Sequence, residues 1–114
     1  MRRLSPVLVL LCGLPACHGS TQSQQRHEAK ALIGTYCASC HTVPGIARAH
    51  GRVGPSLEGI ARQQILAGHF ANTPETMMRW IEHPQQLLPG DAMPEMGLTS
   101  EQARTIAAYL YTLE

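Results

Sequence analysis

Apolar residues fall along this chain in four groups, and the spacing inside each predicts a different element. The first is an unbroken run from Val7 to Leu14, preceded by Arg2 and Arg3 and followed by small residues around Ala16 and Gly19. That is the layout of a secretory signal, and the run is too short to span a bilayer. His18 to Gln25 is polar throughout and suits a flexible tether reaching about 15 Å as a random coil. Ala29, Leu32, Ile33 and Tyr36 then recur at helical spacing. From Val43 to Pro55 the pattern breaks into loop, marked by Gly45, Gly51 and Gly54, with Gly59 just beyond. A second helix starts at Asn72-Thr73-Pro74, with Thr73 as cap and Pro74 in the first turn, and must stop before Pro84. Leu87 to Pro94 reads as an extended loop interrupted by turns. Thr99 and Gln102 form a capping box for a last helix that buries Ala103, Ile106, Ala107 and Leu110. No strand pattern of convincing length and no internal repeat occurs. The pattern therefore predicts an all-α domain over residues 27–114, preceded by a signal over 1–16 and a polar tether over 17–26.

Composition adds a constraint on the core. With only Tyr36, Phe70, Trp80, Tyr109 and Tyr111 as aromatics, a domain of this size is short of apolar material. Small domains in that position recruit disulfides, metals or a cofactor. A bridge between Cys37 and Cys40 would close a tiny loop and stabilise little. Charge excludes one class of partner: without Arg2 and Arg3, seven basic residues face eight acidic ones, a net charge of −1. Nucleic-acid binding calls for a concentrated basic face. The single lysine, Lys30, also rules out a lysine-ringed docking surface.

The chemistry concentrates in Cys37-Ala38-Ser39-Cys40-His41. Cys-x-x-Cys followed at once by histidine is the attachment signature of c-type haem. Two thiols one helical turn apart can each add to a vinyl group on one porphyrin edge, which places His41 beneath the iron. A thioredoxin-like dithiol would want a strand before it and a helix after it, whereas here a helix precedes and a glycine-rich loop follows. Structural zinc would want a second ligand pair at comparable spacing, and Cys12 and Cys17 lie within the signal or at its cut. A histidine on one side leaves the sixth iron position to be filled, and a thioether there raises the potential. Met93, in the turn-rich loop, is the candidate and Met96 its rival; Met77 and Met78 ride the second helix as packing. His27, His50, His69 and His83 read as surface histidines.

From Ala29 to Leu113 the chain resembles the class I c-type cytochromes. The resemblance rests on the attachment site, on Gly54-Pro55-Ser56-Leu57-Glu58-Gly59, on Pro89-Gly90-Asp91-Ala92-Met93-Pro94, and on Ile106-Ala107-Ala108-Tyr109-Leu110. Asn72-Thr73-Pro74-Glu75 and Trp80-Ile81-Glu82-His83-Pro84 are similar to the haem c domains fused to some haem-copper oxidase second subunits. It implies three to four helices and loops wrapped around one covalently attached haem c, with His41 and Met93 on the iron. It also implies that the Pro55 carbonyl orients His41, that Arg62 pairs a haem propionate, and that Trp80 packs on the haem face.

The expected function is one-electron, outer-sphere transfer between redox partners such as an oxidase, a dehydrogenase or another cytochrome, by a chain that is not itself an enzyme. The alternative is a haem enzyme or gas-binding module with a labile sixth ligand. Leu14-Pro15-Ala16-Cys17 resembles a bacterial lipobox, with Pro15 departing from the usual small residue. A lipidated Cys17 would anchor a periplasmic domain to a membrane; an ordinary cleavage site with an incidental cysteine is the other reading.

Overall fold

A computed structural model describes residues 18–114; the segment 1–16, expected to be a secretory signal, and Cys17 lie outside the described residues. Four helices form: α1 (His18–Tyr36), α2 (Pro74–Glu82), α3 (Pro84–Leu87) and α4 (Ser100–Leu110). A 3₁₀ turn at Ile60–Arg62 lies between α1 and α2. Among the described residues no helix is long and apolar enough to cross a membrane.

The segment expected to be a coiled tether is instead the beginning of α1. Residues 21–28 are exposed on every side, so packing is not what makes them helical. Gln22, Gln24, Gln25, Arg26 and Glu28 are good helix formers, Thr21 and Ser23 weaker ones, and no proline interrupts them. Once Ala29 and Ile33 are docked, each further turn adds its hydrogen bonds without a new nucleus.

The other boundaries follow local chemistry. Thr73 caps α2, its hydroxyl accepting from the Thr76 N–H, and Pro74 occupies the first helical position. α2 ends at Glu82 because His83, which precedes Pro84, takes an extended φ of −138°. The capping box at α4 is complete, with the Thr99 and Gln102 side chains each accepting from the other's backbone N–H. The short α3 takes in only Leu87, the first residue of the expected loop.

Among the described residues the strands are minimal, in keeping with the absence of a strand pattern of convincing length. Two-residue strands β1 (Ile65–Leu66) and β2 (Phe70–Ala71) pair antiparallel, Ile65 with Ala71 and Leu66 with Phe70. Two residues carry no readable alternation. The turn between them uses positive φ at Ala67 (51°) and Gly68 (73°).

The core is built on α4, which packs against both α1 and α2. Ala29 and Ile33 of α1, Met77, Trp80 and Ile81 of α2, and Ala103, Ile106, Ala107 and Leu110 of α4 are all buried. The Tyr109 hydroxyl donates to the Pro44 carbonyl at 2.9 Å, tying the first loop to the last helix. Asn72 is a second tie. Its amide donates to the carbonyls of Ile60 and Gln63, each at 2.9 Å, and its oxygen accepts from the Tyr111 hydroxyl at 2.8 Å.

Candidate functional site

Helical bonding continues past Tyr36 for one more turn. The N–H groups of Cys37 and Ala38 reach the Ile33 carbonyl at 2.9 and 3.0 Å, and those of Cys40 and His41 reach the Cys37 carbonyl at 3.1 and 2.9 Å. The loop after it is laid directly on this turn. Gly51 N–H donates to the Ala38 carbonyl (3.1 Å), Gly54 N–H to the Cys40 carbonyl (2.7 Å), and the Thr42 hydroxyl to the Gly51 carbonyl (3.1 Å). Glycine is required at both loop positions by close approach: a Cβ on Gly51 would collide with the Cys40 backbone, and one on Gly54 would lie 2.5 Å from His41 Cε1.

His41 Nδ1 lies 2.6 Å from the Pro55 carbonyl oxygen. A carbonyl only accepts, so Nδ1 carries a proton, and in the neutral imidazole the lone pair is then on Nε2. The ring is thereby oriented as a ligand, by an acceptor on a residue whose φ is locked. Replacing Gly54 with alanine is expected to push the ring off this carbonyl and to destabilise the loaded protein by about 1–3 kcal/mol, measured by thermal unfolding.

Cys37, Cys40 and His41 line a cavity of about 640 Å³, within the roughly 300–1,000 Å³ of cofactor-sized sites. Its other walls include Met77, Trp80 and Ile81 of α2, Ile106 and Leu110 of α4, and the segment from Asp91 to Met96. Trp80 is 8% exposed and stacks on Phe70, centroids 6.0 Å apart at 43°. At the mouth Val53 and Ile65 are left 77% and 52% exposed. Met93 and Met96 both reach the wall. Arg62 does not: it is exposed and folds over Gly59, and its neighbour Gln63 lines the cavity instead. His27, His50 and His69 are exposed, while His83 sits between Glu82 (3.6 Å) and Glu95 (3.4 Å), away from the wall.

Burial, reinforced by Cys40 beside it, pushes the Cys37 thiol up to about 11. A redox dithiol or a thiolate metal ligand wants the opposite shift. A protonated thiol suits addition across a carbon–carbon double bond, sulfur joining one carbon and hydrogen the other. Among the described residues no group of three or more His, Cys, Asp or Glu side chains could hold a metal ion by itself.

Two residues that tie loops together, neither of them lining the cavity, escaped the sequence reading. Asn72 was legible only as the lead-in to a helix cap. Gln85 bonds to the loop bearing Met93, and no spacing rule marks such a contact.

The cytochrome c family model matches residues 26–114, and the chain belongs to the cytochrome c family. It is similar to cytochrome c2 of Rhodopila globiformis, with 36% identity over 109 residues that cover 84% of this chain and 100% of that protein. It is also similar to cytochrome c oxidase subunit 2 of Alkalihalophilus pseudofirmus, 32% identical over 96 residues covering 83% of this chain and 26% of that subunit. The same subunit of Bacillus sp. (strain PS3) is 28% identical over 91 residues, again 26% of its length. Membership of the family implies one covalent haem c with its iron. The residues fit that group: two thiols, an imidazole with a free Nε2 and two thioethers share one largely apolar cavity from which glycines keep side chains away.

Proposed function

We propose that this chain is an exported monohaem c-type cytochrome that passes single electrons between redox proteins and is not itself an enzyme. The observation that carries this reading is the meeting of Cys37, Cys40, His41 and Met93 in one cavity. Cys37 and Cys40 would hold the haem through thioether bonds, and His41 Nε2 and the Met93 sulfur would hold its iron. When bound, the haem supplies a one-electron iron couple. Pro55 keeps the imidazole oriented and basic, Gly54 leaves it room, and Trp80, Ile81 and Leu110 keep water from the cavity. Arg79 of α2 and Arg62 stay outside the wall, and Asp91 stands in it. With the His41 ring held on the Pro55 carbonyl and the Met93 backbone held by Gln85 and Asp91, both donors would keep their places in either oxidation state, so little reorganisation would accompany transfer.

A partner approaches at the mouth, where Val53 and Ile65 present apolar side chains to solvent. The relatives named as a cytochrome c2 and as oxidase subunits support another cytochrome or an oxidase as that partner, in an extracytoplasmic compartment. Lipidation of Cys17 would hold the domain near a membrane, with α1 as a stiff spacer in place of a coil. Intact mass and reduced-minus-oxidised absorbance of the exported protein test these statements together. The expected result is loss of the signal, one covalently added haem, acyl mass on Cys17, and a low-spin spectrum. Two free thiols and no iron would overturn the reading.

A further inference from the structure

We infer that Gln85 is the positioning residue that builds the loop carrying Met93, so that the thioether is held at the cavity wall rather than recruited to it. This rests on the assignment of Met93 under the proposed function. The stretch from Pro89 to Glu95 is neither helix nor strand, so its backbone polar groups must find partners elsewhere. Gln85 supplies three of them. Its Nε2 donates to the carbonyls of Asp91 (2.7 Å) and Met93 (2.8 Å), and its Oε1 accepts from Gly90 N–H at 3.0 Å. Two carbonyls demand the NH₂ end and one N–H demands the oxygen, so the amide has one workable orientation.

The remaining bonds close the clamp. Asp91 Oδ1 accepts the Met93 N–H at 3.0 Å, and Glu95 Oε1 accepts the backbone N–H of Gln85 at 3.1 Å. Residues 90, 91, 93 and 95 are therefore all tied directly or through one neighbour to residue 85. The anchor is stiff, because Gln85 follows the buried Pro84 on α3 and is itself half-buried. Among the described residues no comparable side chain holds the backbone of Met96. The clamp thus favours Met93 over its rival as the group presented to the iron. A loop satisfied in this way opens rarely, which keeps the sixth position closed to other ligands and lets both oxidation states share one geometry.

The test uses the full, haem-loaded chain as wild type, Gln85→Leu, Gln85→Glu and Asn72→Ala. Leucine removes all three side-chain bonds; glutamate keeps the size and the bond from Gly90 but turns an oxygen toward two carbonyls. Binding of added imidazole to the oxidised protein, which must displace the thioether, is expected to quicken about tenfold or more in both Gln85 variants. Hydrogen exchange at the Gly90 and Met93 amides should quicken alongside it. Asn72→Ala also deletes three hydrogen bonds, none of them to the 89–95 loop, and should lower the unfolding temperature while leaving the imidazole rate within about twofold of wild type. Wild-type imidazole rates in both Gln85 variants, or an equal rise in Asn72→Ala, would overturn the inference. If Gln85→Leu does not fold, Gln85→Glu alone decides. Retention of the sulfur-to-iron charge-transfer band in Met93→Ala would overturn the Met93 assignment and this inference with it; loss of that band with unaltered Gln85 variants overturns the inference alone.

Discussion

With both Cys37 and Cys40 replaced by serine, the exported chain is expected to carry no covalent haem and to lose its fold. The cavity those thiols line occupies about 640 Å³ beside the junction of α2 and α4. Left dry, a void of that size would cost about 15 kcal/mol at roughly 24 cal/mol per Å³, against a whole-domain stability of about 5–15 kcal/mol. Water entering at Val53 and Ile65 lowers the figure, but it then wets the faces of Trp80, Ile81, Ile106 and Leu110, which is itself unfavourable. The core has no aromatic surplus with which to collapse inward. Far-ultraviolet circular dichroism and limited proteolysis of the exported fraction measure the outcome, with single-serine variants falling between the extremes. A colourless double variant as helical and protease-resistant as the loaded protein would show that the polypeptide core suffices alone.

Substituting alanine for Met93 is expected to give a high-spin or mixed-ligand protein whose reduction potential falls by on the order of 0.1–0.3 V, within the roughly 0.8 V that axial ligands control. The direction follows from the chemistry of the donor, since a neutral, soft thioether favours the lower charge on iron. Met96→Ala should leave spectrum and potential near wild type. An unchanged spectrum in Met93→Ala, with the loss transferred to Met96→Ala, would reverse the assignment. Carbon monoxide is the complementary probe. The reduced wild-type protein is expected to resist it at neutral pH and the Met93→Ala variant to bind it, whereas ready binding by the wild type would favour a gas-binding or catalytic module.

Much of the architecture was legible because its causes are local. The cap at Thr73, the helix stop before Pro84 and the box of Thr99 with Gln102 each involve residues within about four positions of one another. The helical spacing of Ala29 with Ile33, and of Ala103 with Ile106 and Leu110, marks faces that are indeed buried. Where the reading missed, the deciding forces were not periodic. Nothing in the composition of residues 18–25 distinguishes a solvated coil from a helix extended from a docked turn. The hairpin of β1 and β2 is too short to alternate.

The chain order by itself determined the donor set: two thiols and an imidazole within five residues, two methionines in a later loop, and helices to flank them. Those facts depend on bonding geometry that spans one or two turns of backbone. Only the tertiary structure decided which groups face the cavity, placing Gln63 there in preference to Arg62, whereas the hold of the Pro55 carbonyl on the imidazole, 14 residues away, was already implied by the family resemblance. It alone decided that Gln85 would clamp the methionine loop and that Asn72 would join the 3₁₀ turn to Tyr111. The physical reason is the same in each case: an irregular loop takes its path from whichever packed surfaces and backbone partners it meets, and those partners are set by the folding of the rest.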